Sequence, residues 1–193
     1  MSATIPIRPG TDTLAQPYDP VAKMFHWLTV ALLLAQYLTK YGLPGLLPAS
    51  SHQGLGYWHI SIGPTILLVV LLRLGWRLTH TPPPAPVDLP PWLRLLARST
   101  QWTMYALLIV LPVLGWLAVS AHGGTAYLLG FIPLPSLVAT DKAFAESVGQ
   151  VHGTGALLLL AVIALHVSGA SYHAFVKRDS VVGRMLPTPA AAR

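Results

Sequence analysis

The chain has 193 residues, 53% of them apolar and only 9% charged, a balance that excludes an ordinary soluble domain and calls for contact with lipid. Its net charge of +6 would suit nucleic acid if the twelve Lys and Arg formed a patch, but they are spread over several connections between apolar runs. The absence of cysteine excludes disulfides, thiolate-held iron–sulfur clusters and covalent haem attachment through Cys-x-x-Cys-His, so any cofactor has to be held by histidine or carboxylate.

In chain order, residues 1–18 are polar and contain proline, which reads as a tail without a cleaved signal peptide. Asp19-Pro20 is a helix start, since Asp accepts from orphan amides and Pro at the first position has no N–H to lose. The first predicted span, 20–41, ends at Gly42-Leu43-Pro44-Gly45. An outer loop, Pro48 to Gly56, leads to the second span, 57–78, whose inner end is marked by Arg73, Trp76 and Arg77. Thr81-Pro82-Pro83-Pro84-Ala85-Pro86 with Pro90-Pro91 predicts an extended connector. The third span, 95–121, contains Pro112, and the Gly- and Pro-rich segment His122 to Pro135 follows as a second outer loop. Asp141 can cap the fourth span, 142–177, and 178–193 forms a second tail. Each span is long enough for a hydrocarbon core of ~30 Å at ~1.5 Å per residue. The expected fold is an all-α integral membrane protein, a single domain built as a four-transmembrane-helix bundle.

Charge sets the orientation. Arg8 and Lys23 precede the first span, Arg73, Arg77, Arg94 and Arg98 border the connection between spans two and three, and Lys177, Arg178, Arg184 and Arg193 follow the fourth, leaving Lys40 and Lys142 for the other side. By the positive-inside rule both termini are expected in the cytoplasm.

Four of the eight histidines fall inside spans, where an ionisable side chain is costly without a partner. His152 and His166 are fourteen residues apart on the fourth span, so both leave one face at two depths ~21 Å apart. Measured from the inner charge markers at ~1.5 Å per residue, His26 lies ~4.5 Å and His166 ~16 Å along their helices, while His59 lies ~27 Å and His152 ~37 Å. One offset of ~11 Å for the fourth helix aligns His26 with His166 and His59 with His152, whereas the crossed pairing fails. Two imidazole pairs suit axial ligation of two b haems better than zinc, which wants three or four ligands around one point. Such irons have no open position, so the implied work is electron transfer.

Arg73, fourteen residues after His59, is placed to meet a propionate of the inner haem, or else to snorkel toward headgroups. Gly63, Gly153, Gly155 and Gly169, each within a turn of His59, His152 or His166, leave room for a macrocycle or for helix packing. His52, His80 and His122 read as solvated loop residues, and His173, two turns beyond His166, as a propionate or quinone contact or an interfacial histidine.

His26-Trp27-Leu28, His59-Ile60-Ser61-Ile62-Gly63 with Arg73, Tyr105 with Leu111-Pro112-Val113-Leu114-Gly115, and His152, His166 and His173 running into Asp179 and Arg184-Met185-Leu186-Pro187 together resemble the bacterial cytochrome b561 family. The resemblance covers nearly the whole chain after Tyr18. It implies the same ligand pairs, two b haems in the bacterial inner membrane, and electron transfer from a periplasmic donor to ubiquinone, with superoxide as donor in some members. By the same likeness Arg73 and His173 lie near the inner haem and a quinone headgroup. Two other readings are a cytochrome b anchor subunit fed by a dehydrogenase or hydrogenase, and a haem-free, histidine-lined transporter.

Overall fold

The computed structural model describes residues 16–84 and 89–187, without the side chain of His52. The tail residues 1–15 and 188–193, with Arg8 and Arg193, and Ala85 and Pro86 of the connector lie outside the described residues.

Four long helices make the fold: α1 (Pro20–Tyr37), α2 (His52–Thr79), α3 (Pro91–Ala121) and α4 (Lys142–Ser171). All four, with the turns that extend them, are long and apolar enough to cross a membrane. Asp19 Oδ1 accepts the Val21 N–H at 2.8 Å and Asp141 Oδ1 accepts the Phe144 N–H at 3.0 Å, so two helix starts follow from the capping residues. Helix α2 begins at His52, five residues before the expected start, and takes up Gly54 and Gly56, which the sequence marks as loop. Tertiary contact anchors this end: Tyr57 donates its hydroxyl to the Gly130 carbonyl and stands against Tyr127, 5.5 Å between ring centres. Helix α3 begins at Pro91 rather than residue 95, because the second proline of the Pro90-Pro91 pair sits at the first helical position instead of extending the connector.

Helices α1 and α4 both close in a wider, π-helical turn, Leu38–Gly42 and Tyr172–Lys177. Between α3 and α4 a two-residue hairpin, β1 (Tyr127–Leu128) and β2 (Ile132–Pro133), pairs Leu128 with Ile132. Its turn holds Leu129 at φ 56° and Gly130 at φ 81°, and the Leu129 N–H donates to Thr65 Oγ1 on α2 at 3.0 Å. A Cβ on Gly130 would stand 3.2 Å from the Trp58 ring, so glycine serves both the backbone and the packing there.

The internal core is small: Ile66 and Val70 of α2, Tyr105, Leu108 and Leu111 of α3, and Leu159 of α4. Leu34, Val151 and Leu157 are more than half exposed on the outside of the bundle, the side that faces acyl chains once the spans are in a bilayer. Gly155 sets how closely α3 and α4 approach, since a Cβ there would meet Leu111 Cδ2 at 2.5 Å.

Beyond Lys177 the chain turns back on the bundle. Arg178 takes the left-handed conformation at φ 53°, and Arg184 is buried, donating to the carbonyls of Gln16 at 2.9 Å and Pro84 at 3.0 Å. The Arg184 carbonyl accepts the Tyr18 N–H and the Met185 carbonyl accepts the Trp27 Nε1–H. One side chain thus ties the segment before α1, the Pro-rich connector and the end of the chain together. Each hydrogen bond from a charged donor is worth ~1.5–3 kcal/mol and Arg184 makes two, so Arg184→Ala is expected to cost about 3 kcal/mol, the low end of their sum. Thermal denaturation in detergent will show a lower midpoint, and limited proteolysis will show faster cleavage near Pro84.

Candidate functional site

The four span histidines stand in two pairs inside the bundle. The rings of His59 (α2) and His152 (α4) have centres 6.4 Å apart at 84°, and those of His26 (α1) and His166 (α4) have centres 6.5 Å apart at 65°. Among the described residues no group of three or more His, Asp or Glu converges as a metal cluster. The donor sets are therefore imidazole pairs. A metal–imidazole bond of ~2.0 Å and ~1.1 Å from nitrogen to ring centre, on each of two sides, call for ring centres ~6.2 Å apart, close to both observed spacings.

The outer pair is oriented by backbone carbonyls. His152 Nδ1 lies 2.9 Å from the Leu111 carbonyl and His59 Nδ1 lies 3.3 Å from the Gln36 carbonyl. A carbonyl only accepts, so Nδ1 carries the proton in each ring and Nε2 keeps its lone pair, the arrangement a ligating imidazole requires. Gly115 makes room for His152, because a Cβ there would stand 3.2 Å from its Cε1 and 3.4 Å from its Nδ1.

Both outer histidines line a cavity of about 300 Å³. Gly63 and Gly153 lie in its wall. A Cβ at Gly63 would have Gln36 Nε2 as its nearest neighbour, at 3.9 Å, and one at Gly153 would have nothing within 4 Å. Side chains at these positions would fill the space, and their absence suits a flat ligand. Gln36 enters the cavity as well: its Nε2 is 3.3 Å from His59 Nε2, and its buried Oε1 has no hydrogen-bond partner among the described residues. The π-helical turn brings Lys40 and Tyr41 into the same wall. Of the other glycines near histidines, Gly155 packs on Leu111 and Gly169 has nothing within 4 Å.

The inner pair is wired differently. Arg73 Nη2 donates to His26 Nδ1 at 3.1 Å, and its guanidinium lies 5.5 Å from the centre of the Tyr105 ring. His173, in the turn after α4, pairs with Asp179, Nδ1 to Oδ2 at 2.7 Å. Partial burial pushes the Asp179 carboxyl up, but the hydrogen bonds from His173 and the Val181 N–H, with the charges of His173 and Lys177, outweigh it and hold the group below its ordinary range. The structure places neither Arg73 nor His173 as a simple solvated residue, and only Arg73 touches one of the paired rings.

Of the three histidines read as loop residues, His80 follows α2 as its C-cap and stays exposed, as a solvated side chain would, while stacking on Trp76 with ring centres 3.6 Å apart at 9°. His122 caps α3 with Nδ1 2.9 Å from the Ala118 carbonyl, and His52 starts α2. Gln36 and Gly115 were missed as site residues by sequence reasoning. A lone amide ten residues after His26 in an apolar run was the available signal for Gln36; Gly115 carried none beyond its place in Leu-Pro-Val-Leu-Gly.

The sequence matches the family model for prokaryotic cytochrome b561 over residues 17–188. It is 28% identical over 177 residues to cytochrome b561 homolog 2 of Escherichia coli (strain K12), covering 88% of this chain and 90% of that protein. It is also 28% identical over 162 residues to a probable superoxide oxidase CybB of Yersinia pestis, covering 84% and 91%, and 26% identical over 177 residues to cytochrome b562 of Cereibacter sphaeroides, covering 88% and 94%. With a match that spans all four helices, the chain belongs to the prokaryotic cytochrome b561 family, integral membrane proteins that bind b haems and transfer electrons across the membrane.

Proposed function

We propose that this protein holds two b haems, one between His59 and His152 and one between His26 and His166, and passes single electrons from an outer donor to ubiquinone at the inner end. The observation that supports the reading best is the pair of imidazole pairs, each at a spacing of about 6.4–6.5 Å and each joining α4 to a different helix. Each haem would be held by the two imidazoles of its pair and, when bound, would supply a one-electron ferric–ferrous exchange.

The chain's own residues do the rest. The carbonyls of Leu111 and Gln36 hold the outer rings in the Nδ1–H tautomer and fix their planes. The apolar wall of the outer cavity, with Ile66, Leu108 and Leu159, excludes water and keeps the path short of protons. At the inner end we assign to His173, paired with Asp179, the delivery of a proton to the quinone headgroup as it takes electrons. Orientation follows the charge distribution: inner bacterial membrane, with the described ends of the chain on the cytoplasmic side.

Superoxide is the donor we favour. The Yersinia pestis relative carries the name of a superoxide oxidase, and Lys40 is the one Lys or Arg among the described lining residues of the outer cavity, a cation placed for an anionic donor. Two superoxide anions would be oxidised to dioxygen while one ubiquinone takes two electrons and two protons. The test uses purified protein, enzymatically generated superoxide and a soluble ubiquinone analogue. Superoxide alone is expected to reduce the haems and the quinone to reoxidise them. Reduction that requires a soluble partner protein would replace this reading with the anchor-subunit one.

A further inference from the structure

A second, smaller pocket of about 60 Å³ lies at the inner end of the bundle, where Tyr18, Arg73, Trp76, Arg77, Tyr105 and Met185 meet. Among the described residues it is rich in donors and poor in acceptors. Arg73 and Arg77 bring two guanidinium groups, and the buried Trp76 Nε1–H has no hydrogen-bond partner among the described residues. Asp19 is the one carboxylate among the described lining residues; its Oδ1 accepts the Val21 N–H, and neither guanidinium lies within ion-pair distance of it. Asp179, the carboxylate that follows α4, is already paired with His173. Arg77 has the Gln101 Oε1 at 3.5 Å and the Trp102 ring at 5.8 Å, both weak partners for a charge in a span.

Arg73 makes the demand for an acceptor sharper. It now donates to His26 Nδ1. Once His26 binds a metal that bond is lost whichever nitrogen ligates: through Nε2, the neutral ring holds its proton on Nδ1; through Nδ1, the lone pair is used. The guanidinium then keeps the Tyr105 side chain as its hydrogen-bond partner, a neutral one for a buried cation, and a carboxylate beside it would offset the charge. The pocket is small, about 60 Å³, and its two guanidinium groups suit an anionic group such as a carboxylate.

We propose that Arg77 and the Trp76 indole N–H, together with Arg73, form a carboxylate pocket that seats a propionate of the haem held by His26 and His166, and that this neutralisation raises that haem's reduction potential. The proposal rests on the ligand reading given above. Reduction adds an electron next to the propionate, so cations and donors that offset its charge favour the ferrous form.

Spectroelectrochemical titration of the holoprotein tests it with Trp76→Phe, which keeps the aromatic ring stacked on His80, and Arg77→Gln. In Arg77→Gln the inner haem's ferrous-to-ferric ratio at fixed ambient potential is expected to fall about tenfold, about 59 mV for a one-electron couple, with a smaller fall in Trp76→Phe and no change in the outer haem. Loading wild type and variants with the haem dimethyl ester should abolish the differences between them. Unchanged potentials in both variants, or shifts that persist with the ester, as they would if the pocket held a lipid phosphate, overturn the proposal. Wild type that lacks two haems would instead overturn the ligand reading beneath it.

Discussion

Purified His59→Ala and His26→Ala proteins are each expected to contain one haem per chain where the wild type contains two, read by pyridine haemochrome and by reduced-minus-oxidised difference spectra. Each pair draws one ring from α4 and the other from a different helix, so removing one ring leaves its haem a single protein ligand while the other pair, at the opposite depth, is untouched. The two variants should therefore lose different bands. A bis-histidine site owes much of its affinity to both bonds being made at once, since the second ligand binds from a fixed neighbour rather than from solution. Double substitution, His26→Ala with His59→Ala, should abolish Soret absorbance. Retention of both haems in either single variant would rule out the pairing, and wild type without haem would return the chain to the transporter reading.

Gly115→Leu is expected to remove the outer haem as completely as His59→Ala without touching any of the four histidines. A Cβ at Gly115 already stands 3.2 Å from His152 Cε1, and the further branches of leucine have to enter the space the ring occupies. The ring cannot yield freely, because its Nδ1–H is held by the Leu111 carbonyl at 2.9 Å. Losing that bond would free the tautomer as well as the orientation. Gly115→Ala should be the graded case, with the outer haem kept and its spectrum broadened, since a shift of a few tenths of an ångström relieves one methyl group. Haem stoichiometry with far-ultraviolet circular dichroism separates this local effect from unfolding; a Gly115→Leu protein with two haems would mean that His152 is not confined as described.

The architecture was legible in the sequence because a bilayer imposes a simple rule: a span has to be long, apolar and helical, and four segments obeyed it. Capping chemistry was local enough to locate the starts at Asp19 and Asp141. The meeting of His26 with His166 and of His59 with His152 in space was also implicit in spacing, since residues fourteen apart share a helix face and the alternation of spans orders the depths. Helical periodicity and topology are properties of the chain taken one element at a time.

What only the tertiary structure decided depends on which helix faces which. No periodicity indicates that Gly115 on α3 stands against His152 on α4, that the Gln36 amide reaches His59, or that Arg73 settles on His26 Nδ1. The early start of α2 at His52 is of the same kind, for two glycines weaken a helix locally until the hairpin at Gly130 packs against Tyr57 and Trp58. Arg184 looked like one more cation of a tail, yet its guanidinium joins carbonyls 168 and 100 residues away. Trp76 and Arg77 read as interfacial markers, and only the packing of α1, α2 and α3 leaves the Trp76 Nε1–H without an acceptor among the described residues and Arg77 with the distant Gln101 Oε1. Side-chain type and spacing determined what could be bound and at what depth; the rotation of each helix about its own axis, set by contacts far apart in sequence, decided which groups shape the sites.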